Sequence, residues 1–142
     1  MSYFILDTDH FSLWQRNHPV VVSFVKNNAS NVIITIVTAE ELLRGRFNVI
    51  RKASATSQSD KLVLAYSLFW ETLEDLKLLN ILKFDQKSYN TYLELRQQKI
   101  RIGTQDLKIA SIALANNSVL VTRNYRDFSL IPHLNLEDWT VS

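Results

Sequence analysis

Short, continuously apolar runs alternate along this chain with longer segments of helical periodicity, and this alternation limits the folds that the chain can adopt. Three runs are typical of strands buried on both faces: "YFILD" (3–7), "VIITI" (32–36) and "SVLVT" (118–122). A weaker alternation at 79–85, "LNILKFD", suits an edge strand, and a last run at 134–139, "LNLEDW", could close the sheet. Apolar strands separated by helices indicate a parallel sheet covered on both faces, an α/β fold built as a three-layer α/β/α sandwich.

Helical patterns fill the intervals between these strands, at about 38–50, 58–77, 86–99 and 104–116, with shorter helices inside 9–28. The segment 104–116 carries a broad apolar stripe, as expected for a helix packed on a sheet. The chain contains only two glycines and two prolines, too few for a flexible linker or a glycine-rich phosphate loop. We therefore expect a single domain over 1–142.

The composition excludes several classes of protein. No cysteine is present, which excludes a disulfide framework and a thiolate metal site, and the three histidines lack the spacing of a helical zinc site. The net charge of +2 is too small to indicate a nucleic-acid-binding protein by itself. No run approaches the roughly 18 apolar residues of a membrane span, and no leader pattern opens the chain. We expect a soluble, cytoplasmic protein.

Acidic side chains follow the predicted strands at one edge of the predicted sheet. In an α/β sandwich the carboxyl ends of the strands and the N-termini of the next helices share the edge where ligands bind. Asp7 ends the first strand, and Glu41 is expected in the first turn of the helix after the second strand. Asp106 lies in the first turn of the 104–116 helix, and Asp127 follows the "VLVT" strand. We therefore expect these four carboxylates to converge.

Each acid also has a purely structural interpretation. Asp7 could cap a helix, Thr38 and Glu41 have the spacing of a capping box, Asp106 could offset a helix dipole and Asp127 could be a turn residue. Stability never requires four carboxylates to converge, however, and their repulsion favours a cation among them. Ligands that offer only oxygen select a hard ion, Mg²⁺ or Mn²⁺.

Other acids serve as a comparison. Glu71, Glu74 and Asp75 lie late in a long predicted helix and are expected to be solvated at the opposite edge. Asp85 is expected to start the next helix. Glu40 should face away from Glu41 because successive residues lie about 100° apart around a helix.

The motifs that contain the four acids resemble a known family. The stretches are "LDTDHFS", "VTAEELLRG", "RIGTQDLKIASIAL" and "LVTRNYRDF", followed by "LNLEDW", and they resemble the PIN-domain family, particularly the VapC-type toxins of bacterial toxin–antitoxin pairs. The resemblance runs from about residue 3 to 140, with the motifs in the family's order. It implies a parallel five-stranded sheet of order 3-2-1-4-5 and a Mg²⁺-dependent endoribonuclease.

The resemblance also implies roles for particular residues. The catalytic and metal-binding quartet is expected to be Asp7, Glu41, Asp106 and Asp127. Asp9 stands where many family members carry Asn, so we expect it to orient substrate or to lie just outside the metal ligands. Thr122 and Asn124 match a polar pair after the fourth strand and are expected to hydrogen-bond a ligand carboxylate or a phosphate.

Phosphodiester hydrolysis needs a water made nucleophilic in line with a stabilised leaving oxygen, and carboxylate-held Mg²⁺ provides both. RNA must then approach an acidic centre, so a basic rim is required. Candidates that flank the acids in sequence are Arg44, Arg46, Lys108, Arg123 and Arg126, although surface solubility explains such residues equally well.

Two other classes of protein share part of this pattern. "FILDTDHF" is similar to the D-x-D opening of haloacid-dehalogenase-type phosphatases, but that family expects Thr or Val where this chain has Phe11, and "GTQDL" offers one acid where a pair is expected. A catalytically degenerate PIN fold that serves as a scaffold or an RNA-binding module should have lost part of the quartet, which is complete here. A metal-dependent nuclease is therefore the favoured interpretation.

The resemblance further implies a small antitoxin partner and a homodimer. The antitoxin's tail should place an Arg or Lys near the quartet, because a cation can satisfy those carboxylates. The groove walls are expected from the helices at 9–28 and 38–77, where four aromatic residues are candidate anchors or core residues: Phe11, Trp14, Phe47 and Trp70.

Overall fold

The computed structural model of the protein describes residues 3–142. Its sheet contains five strands: β1 (Phe4–Leu6), β2 (Val32–Thr35), β3 (Asn80–Leu82), β4 (Val119–Val121) and β5 (Leu136–Glu137). All neighbouring strands pair in parallel, in the order β3-β2-β1-β4-β5. The predicted sheet and its strand order are confirmed, although each strand is shorter than the apolar run that predicted it.

The helices cover both faces of this sheet. In chain order they are α1 (Thr8–Gln15), α2 (Pro19–Asn27), α3 (Ile36–Ser54), α4 (Ser59–Leu76), α5 (Gln86–Gln97), α6 (Thr104–Ala115) and α7 (Tyr125–Phe128), with a 3₁₀ turn at Ala29–Asn31. Successive strand residues point to opposite faces. Ile5 and Leu120 therefore enter the core beneath α5 and α6, whereas Leu6 and Val121 enter the core beneath α1, α2 and α3.

The junction between β2 and α3 differs from the prediction. Helix α3 begins at Ile36, and its N-cap is Thr35, whose hydroxyl accepts a hydrogen bond from the backbone N–H of Thr38 at 3.2 Å. The capping box proposed for Thr38 and Glu41 is therefore wrong. Since the helix starts two residues earlier than predicted, Glu41 lies in its second turn, and the Thr38 hydroxyl is free for another role.

Exposed apolar side chains concentrate on α3 and α4. Trp70 is 63% exposed and Phe47 is 54% exposed, and the rings of Phe47 and Phe69 lie 5.3 Å apart. Two other predicted anchors differ: Phe11 is completely buried, so it is a core residue, and the half-buried Trp14 packs against it with ring centroids 5.5 Å apart. Within residues 3–142 no helix combines the length and the hydropathy needed to span a membrane.

Candidate active site

Asp7 stands at the junction between β1 and α1, at the carboxyl edge of the sheet. It is the N-cap of α1, where its Oδ1 accepts a 2.7 Å hydrogen bond from the backbone N–H of His10. The residue is only 7% exposed. The capping interpretation of Asp7 is therefore correct. The cap uses Oδ1, so Oδ2 remains available for another ligand.

A cavity of about 370 Å³ opens beside Asp7. It is lined by three of the four predicted acids together with polar neighbours and one ring: Asp7, Thr8, Asp9, Glu41, Asp106, Arg123, Asn124 and Phe128. Asp127 is absent from this lining, yet it lies near enough for its charge to act on Asp106. The topology thus brings together side chains that are separated by about a hundred residues of chain.

The electrostatics of Asp106 fit a divalent cation. Burial, and then the negative charges of Glu41, Asp7 and Asp127, raise the pKa of the Asp106 carboxyl to about 6. A carboxyl with a raised pKa among like charges is in an environment that a cation would relieve. The donors that line the cavity are oxygen atoms of carboxylates, hydroxyls and an amide, which suit a hard divalent ion. These residues therefore fit a divalent metal ion.

Glu41 is held by the hydroxyl of Thr8, which in turn contacts the hydroxyl of Thr38. The hydroxyl of Thr8 donates to Oε1 of Glu41 at 2.6 Å. Thr8 and Thr38 also share a hydrogen bond of 3.0 Å between their hydroxyls, and since the proton of Thr8 is used on Glu41, Thr38 is the donor. Neither threonine was predicted to support Glu41. The sequence offered only their positions as a signal, since Thr8 directly follows Asp7 and Thr38 lies one turn before Glu41.

Asp9 pairs with Arg123 across the mouth of the cavity. Nε and Nη2 of Arg123 donate to the two carboxylate oxygens of Asp9 at 2.8 and 2.9 Å. Such a bidentate pair is stronger and more directional than a single contact. Asp9 therefore fixes a guanidinium group beside the acidic cavity, and the two predicted roles, substrate orientation for Asp9 and RNA contact for Arg123, meet in one ion pair.

The polar residues after β4 organise Asp127. The buried hydroxyl of Thr122 accepts from the backbone N–H of Asn124 at 3.0 Å and shapes the turn. Asn124 caps α7, and its side-chain Nδ2 donates to Oδ2 of Asp127 at 3.1 Å. Asn124 thus makes the contact to a carboxylate that was predicted for it, whereas the observed contact of Thr122 is to the backbone.

Among the basic residues predicted for the rim, Arg123 is the one that lines the acidic cavity in the described part of the chain. Arg46 donates to Oγ1 of Thr72 at 2.9 Å and lines a separate cavity beside α4. It lies five residues after Glu41, which places it about 140° around α3. Three others stay outside the lining: Arg44, which pairs with Glu40, Lys108, which contacts Gln105, and the exposed Arg126.

The comparison acids mostly follow the prediction. Glu40 is exposed and contacts Arg44 and Gln105 instead of the cavity, and Asp85 is the N-cap of α5. Asp75 is the exception. It is half-buried and accepts a 2.9 Å hydrogen bond from Gln15, so its interpretation as solvated surface is wrong.

His10 lies directly behind Asp7 and was not predicted to belong to the site. Its ring is completely buried, with Nδ1 3.2 Å from Oδ1 of Asp7 and Nε2 3.2 Å from the backbone N of Trp139. Potential ligand atoms of Asp7, Asp9 and His10 lie within 4.8 Å of one another. Both ring nitrogens of His10 are already engaged, however, which removes it from the set of metal ligands.

A parallel 3-2-1-4-5 sheet with carboxylates gathered at its carboxyl edge defines the class of protein. The chain matches the PIN domain family over residues 4–134, and it therefore belongs to the PIN-domain family. The resemblance noted from the sequence motifs is confirmed.

Two relatives are named as bacterial ribonucleases. The chain is 29% identical to "Ribonuclease VapC1" of Haemophilus influenzae over 96% of its own length and 98% of that protein. It is 46% identical to "Ribonuclease VapC2" of Rickettsia felis over 68 residues. That second match spans 45% of this chain and about half, 51%, of the relative.

Solved structures with the same fold come from toxin–antitoxin complexes. VapBC-1 from nontypeable Haemophilus influenzae superposes with a TM-score of 0.76 at 26% identity, covering 97% of this chain and 98% of that one. VapBC2 from Rickettsia felis, solved with a DNA fragment from its promoter, gives a TM-score of 0.68 at 29% identity, covering 96% and 98%. The similarity thus extends over the whole sheet and the helices around it.

Proposed function

We propose that this chain is a metal-dependent endoribonuclease and the toxin of a VapBC-type pair that acts in the cytoplasm. The observation that carries the nuclease proposal is the convergence of Asp7, Glu41 and Asp106 on one cavity, with the pKa of Asp106 raised to about 6. Ribonuclease VapC1 of Haemophilus influenzae supports it, because that relative aligns with this chain over almost its full length.

The proposed metal-binding residues are Asp7, Glu41, Asp106 and Asp127, and the proposed ion is Mg²⁺ or Mn²⁺. A bound divalent ion would polarise the phosphate and lower the pKa of an attacking water. The protein's contribution is to hold the carboxylates in place. Thr8 orients Glu41, and Asn124 orients Asp127.

Arg123 is the proposed phosphate-binding residue of the site. Its Nε and Nη2 are engaged by Asp9, so the remaining N–H groups of the guanidinium can donate to a phosphate oxygen of RNA. The pair therefore offers the approaching backbone a positive group whose direction is fixed by Asp9. This arrangement accounts for a cation beside a cavity that is otherwise acidic.

The proposed partner is a small antitoxin that docks on the exposed apolar face of α3 and α4. Trp70, Tyr66 and Val63 are each more than half exposed, and they line a cavity of about 830 Å³. Surfaces of this kind mark interaction sites because large apolar side chains are costly to leave in water. The known complexes of VapBC-1 and VapBC2 are the reason for choosing an antitoxin as the occupant. Homodimerisation stays a prediction, to be tested by light scattering.

The direct test is cleavage of single-stranded RNA by the purified chain with Mg²⁺, with Mn²⁺ and with excess EDTA. We expect cleavage with either metal and none in EDTA. Asp106→Asn should be inactive, whereas Asp60→Asn, which removes an exposed carboxylate from α4, should retain full activity. Full activity in excess chelator would contradict the proposed metal dependence.

The toxin role needs a separate experiment. Expression of the chain alone should arrest growth, and co-expression with the product of a small neighbouring reading frame, or the substitution Asp7→Asn, should restore it. Cleavage without growth arrest and without such a neighbour would leave a PIN-domain nuclease outside a toxin–antitoxin pair. Binding of RNA without cleavage would instead favour a scaffold or RNA-binding module.

A further inference from the structure

His10 connects the proposed metal ligand Asp7 to the segment that follows β5. The imidazole ring is completely buried, and both of its nitrogens have close partners. Nδ1 lies 3.2 Å from Oδ1 of Asp7, whereas Nε2 lies 3.2 Å from the backbone N of Trp139 and 3.6 Å from Oδ1 of Asp138. No step of the proposed hydrolysis uses this ring, so its burial calls for another explanation.

The backbone partner determines where the ring carries its proton. The N–H of Trp139 can only donate, so Nε2 of His10 must accept. With Nε2 accepting, the ring proton lies on Nδ1, which donates to Oδ1 of Asp7. That same oxygen also accepts from the backbone N–H of His10 at 2.7 Å. Two donors from one residue thus hold one oxygen of Asp7 and define the plane of its carboxylate.

Trp139 is itself held firmly. Its side chain is 1% exposed, stacks on Phe24 of α2 with 5.3 Å between ring centroids and 12° between planes, and lies 5.2 Å from Phe4. Its indole Nε1 also donates to Oε1 of Glu137 at 2.9 Å. The backbone N–H that orients His10 therefore belongs to one of the best-packed residues of the protein.

We propose that His10 is a positioning residue that locks the Asp7 carboxylate for metal binding and ties that ligand to the Trp139 segment. The inference rests on the proposed function. Without the Nδ1 donor, Oδ1 of Asp7 keeps the single N-cap hydrogen bond, and the carboxylate can rotate. Loss of a hydrogen-bonding partner behind a metal ligand typically lowers metal affinity 10- to 100-fold.

Two conservative variants separate the two nitrogens of the ring. In His10→Asn the amide N–H can replace Nδ1 toward Asp7, but nothing reaches the N–H of Trp139. In His10→Gln the longer amide can accept from Trp139 in place of Nε2, but the donor to Asp7 is lost. The two variants therefore remove one contact each and keep the other.

The experiment measures Mn²⁺ affinity by electron paramagnetic resonance in the absence of RNA, together with the melting temperature of the metal-free protein. We expect about 10- to 100-fold weaker Mn²⁺ binding in His10→Gln and less than about a threefold loss in His10→Asn. His133→Asn is the matched control, because His133 is exposed with φ 67°, a conformation that Asn tolerates. Its Mn²⁺ affinity should equal that of the wild type.

Equal Mn²⁺ affinity in both His10 variants, or losses that only follow their melting temperatures, would overturn the positioning role and leave the nuclease proposal intact. Failure of the wild type to bind Mn²⁺ at all would instead count against the proposed function itself.

Discussion

The hydroxyl of Thr8 donates a 2.6 Å hydrogen bond to Oε1 of Glu41, and this contact joins the first turn of α1 to the second turn of α3. The Thr38 hydroxyl completes the arrangement by donating to Thr8 at 3.0 Å. An acid that approaches other carboxylates would otherwise turn toward solvent. The threonine pair therefore keeps Glu41 at the cavity before any cation is bound.

Thr8→Val removes the donor to Glu41 while keeping the shape of the side chain. We expect metal affinity to fall roughly tenfold, because Glu41 is no longer oriented. The stability of the metal-free protein should change by only about 1 kcal/mol, the usual net effect of one hydrogen bond. Calorimetric titration with Mn²⁺ gives the first quantity and urea unfolding the second. Thr8→Ser keeps the hydroxyl and serves as the control; equal affinity in the Val and Ser variants would contradict the prediction.

Asp106→Asn should abolish RNA cleavage and yet leave the metal-free protein equally or more stable. The variant removes a carboxyl group whose pKa is raised to about 6 by burial and by the negative charges of Glu41, Asp7 and Asp127. Allowing for solvent screening of a half-buried group, the gain is about 1 to 2 kcal/mol. Mg²⁺ should raise the melting temperature of the wild type more than that of the variant. A variant that is unfolded both with and without Mg²⁺ would make Asp106 a structural residue.

The raised pKa of Asp106 predicts that the stability of the metal-free protein, kept so by EDTA, depends on pH. The pKa of Asp106 is about 6 in the folded protein and near the ordinary value of 3.8 when unfolded, so between these pH values the folded state binds more protons. Its contribution to stability is therefore fully present below about pH 4 and is lost as the pH rises to about 6. Urea unfolding at several pH values should show that the free energy of unfolding of Asp106→Asn rises relative to that of the wild type as the pH increases from about 4 to about 6. A difference that stays constant with pH would contradict the raised pKa.

The topology of the site could be predicted from the sequence because it depends on local patterns. Continuous apolar runs indicate buried parallel strands, and acids that follow such strands must meet at one edge. The supporting contacts could not be predicted in this way. The bond from Thr8 to Glu41 and the bond from His10 to Trp139 join residues 33 and 129 positions apart, so they depend on how helices pack. Arg46 was assigned to the rim by its sequence position, whereas its rotation around α3 turns it toward Thr72.

Arg123→Ala should weaken RNA binding with little effect on folding. The guanidinium is half exposed at the mouth of the cavity, so its loss removes a phosphate contact but no core packing. Binding can be measured by fluorescence anisotropy in an Asp106→Asn background, in which the RNA stays intact. We expect a roughly tenfold higher Kd and a salt dependence reduced by about one phosphate contact. Arg51→Ala, at the exposed end of α3, should match the wild type; equal losses in both variants would indicate a nonspecific charge effect.

The exposed apolar face of α4 is the proposed antitoxin-binding surface. Trp70 is 63% exposed beside Tyr66 and Val63, and aromatic residues that become buried in an interface usually carry much of its binding energy. Trp70→Ala should therefore leave RNA cleavage intact but weaken the antitoxin complex by about 2 kcal/mol or more, so that co-expression no longer restores growth. Tyr89→Ala is the control, because Tyr89 is an exposed aromatic residue on α5, across the sheet. The antitoxin should still neutralise the toxicity of this variant. Copurification of the two chains measures the complex directly. If Trp70→Ala copurifies with the antitoxin as well as the Tyr89 control does, the partner does not dock on this face of α4.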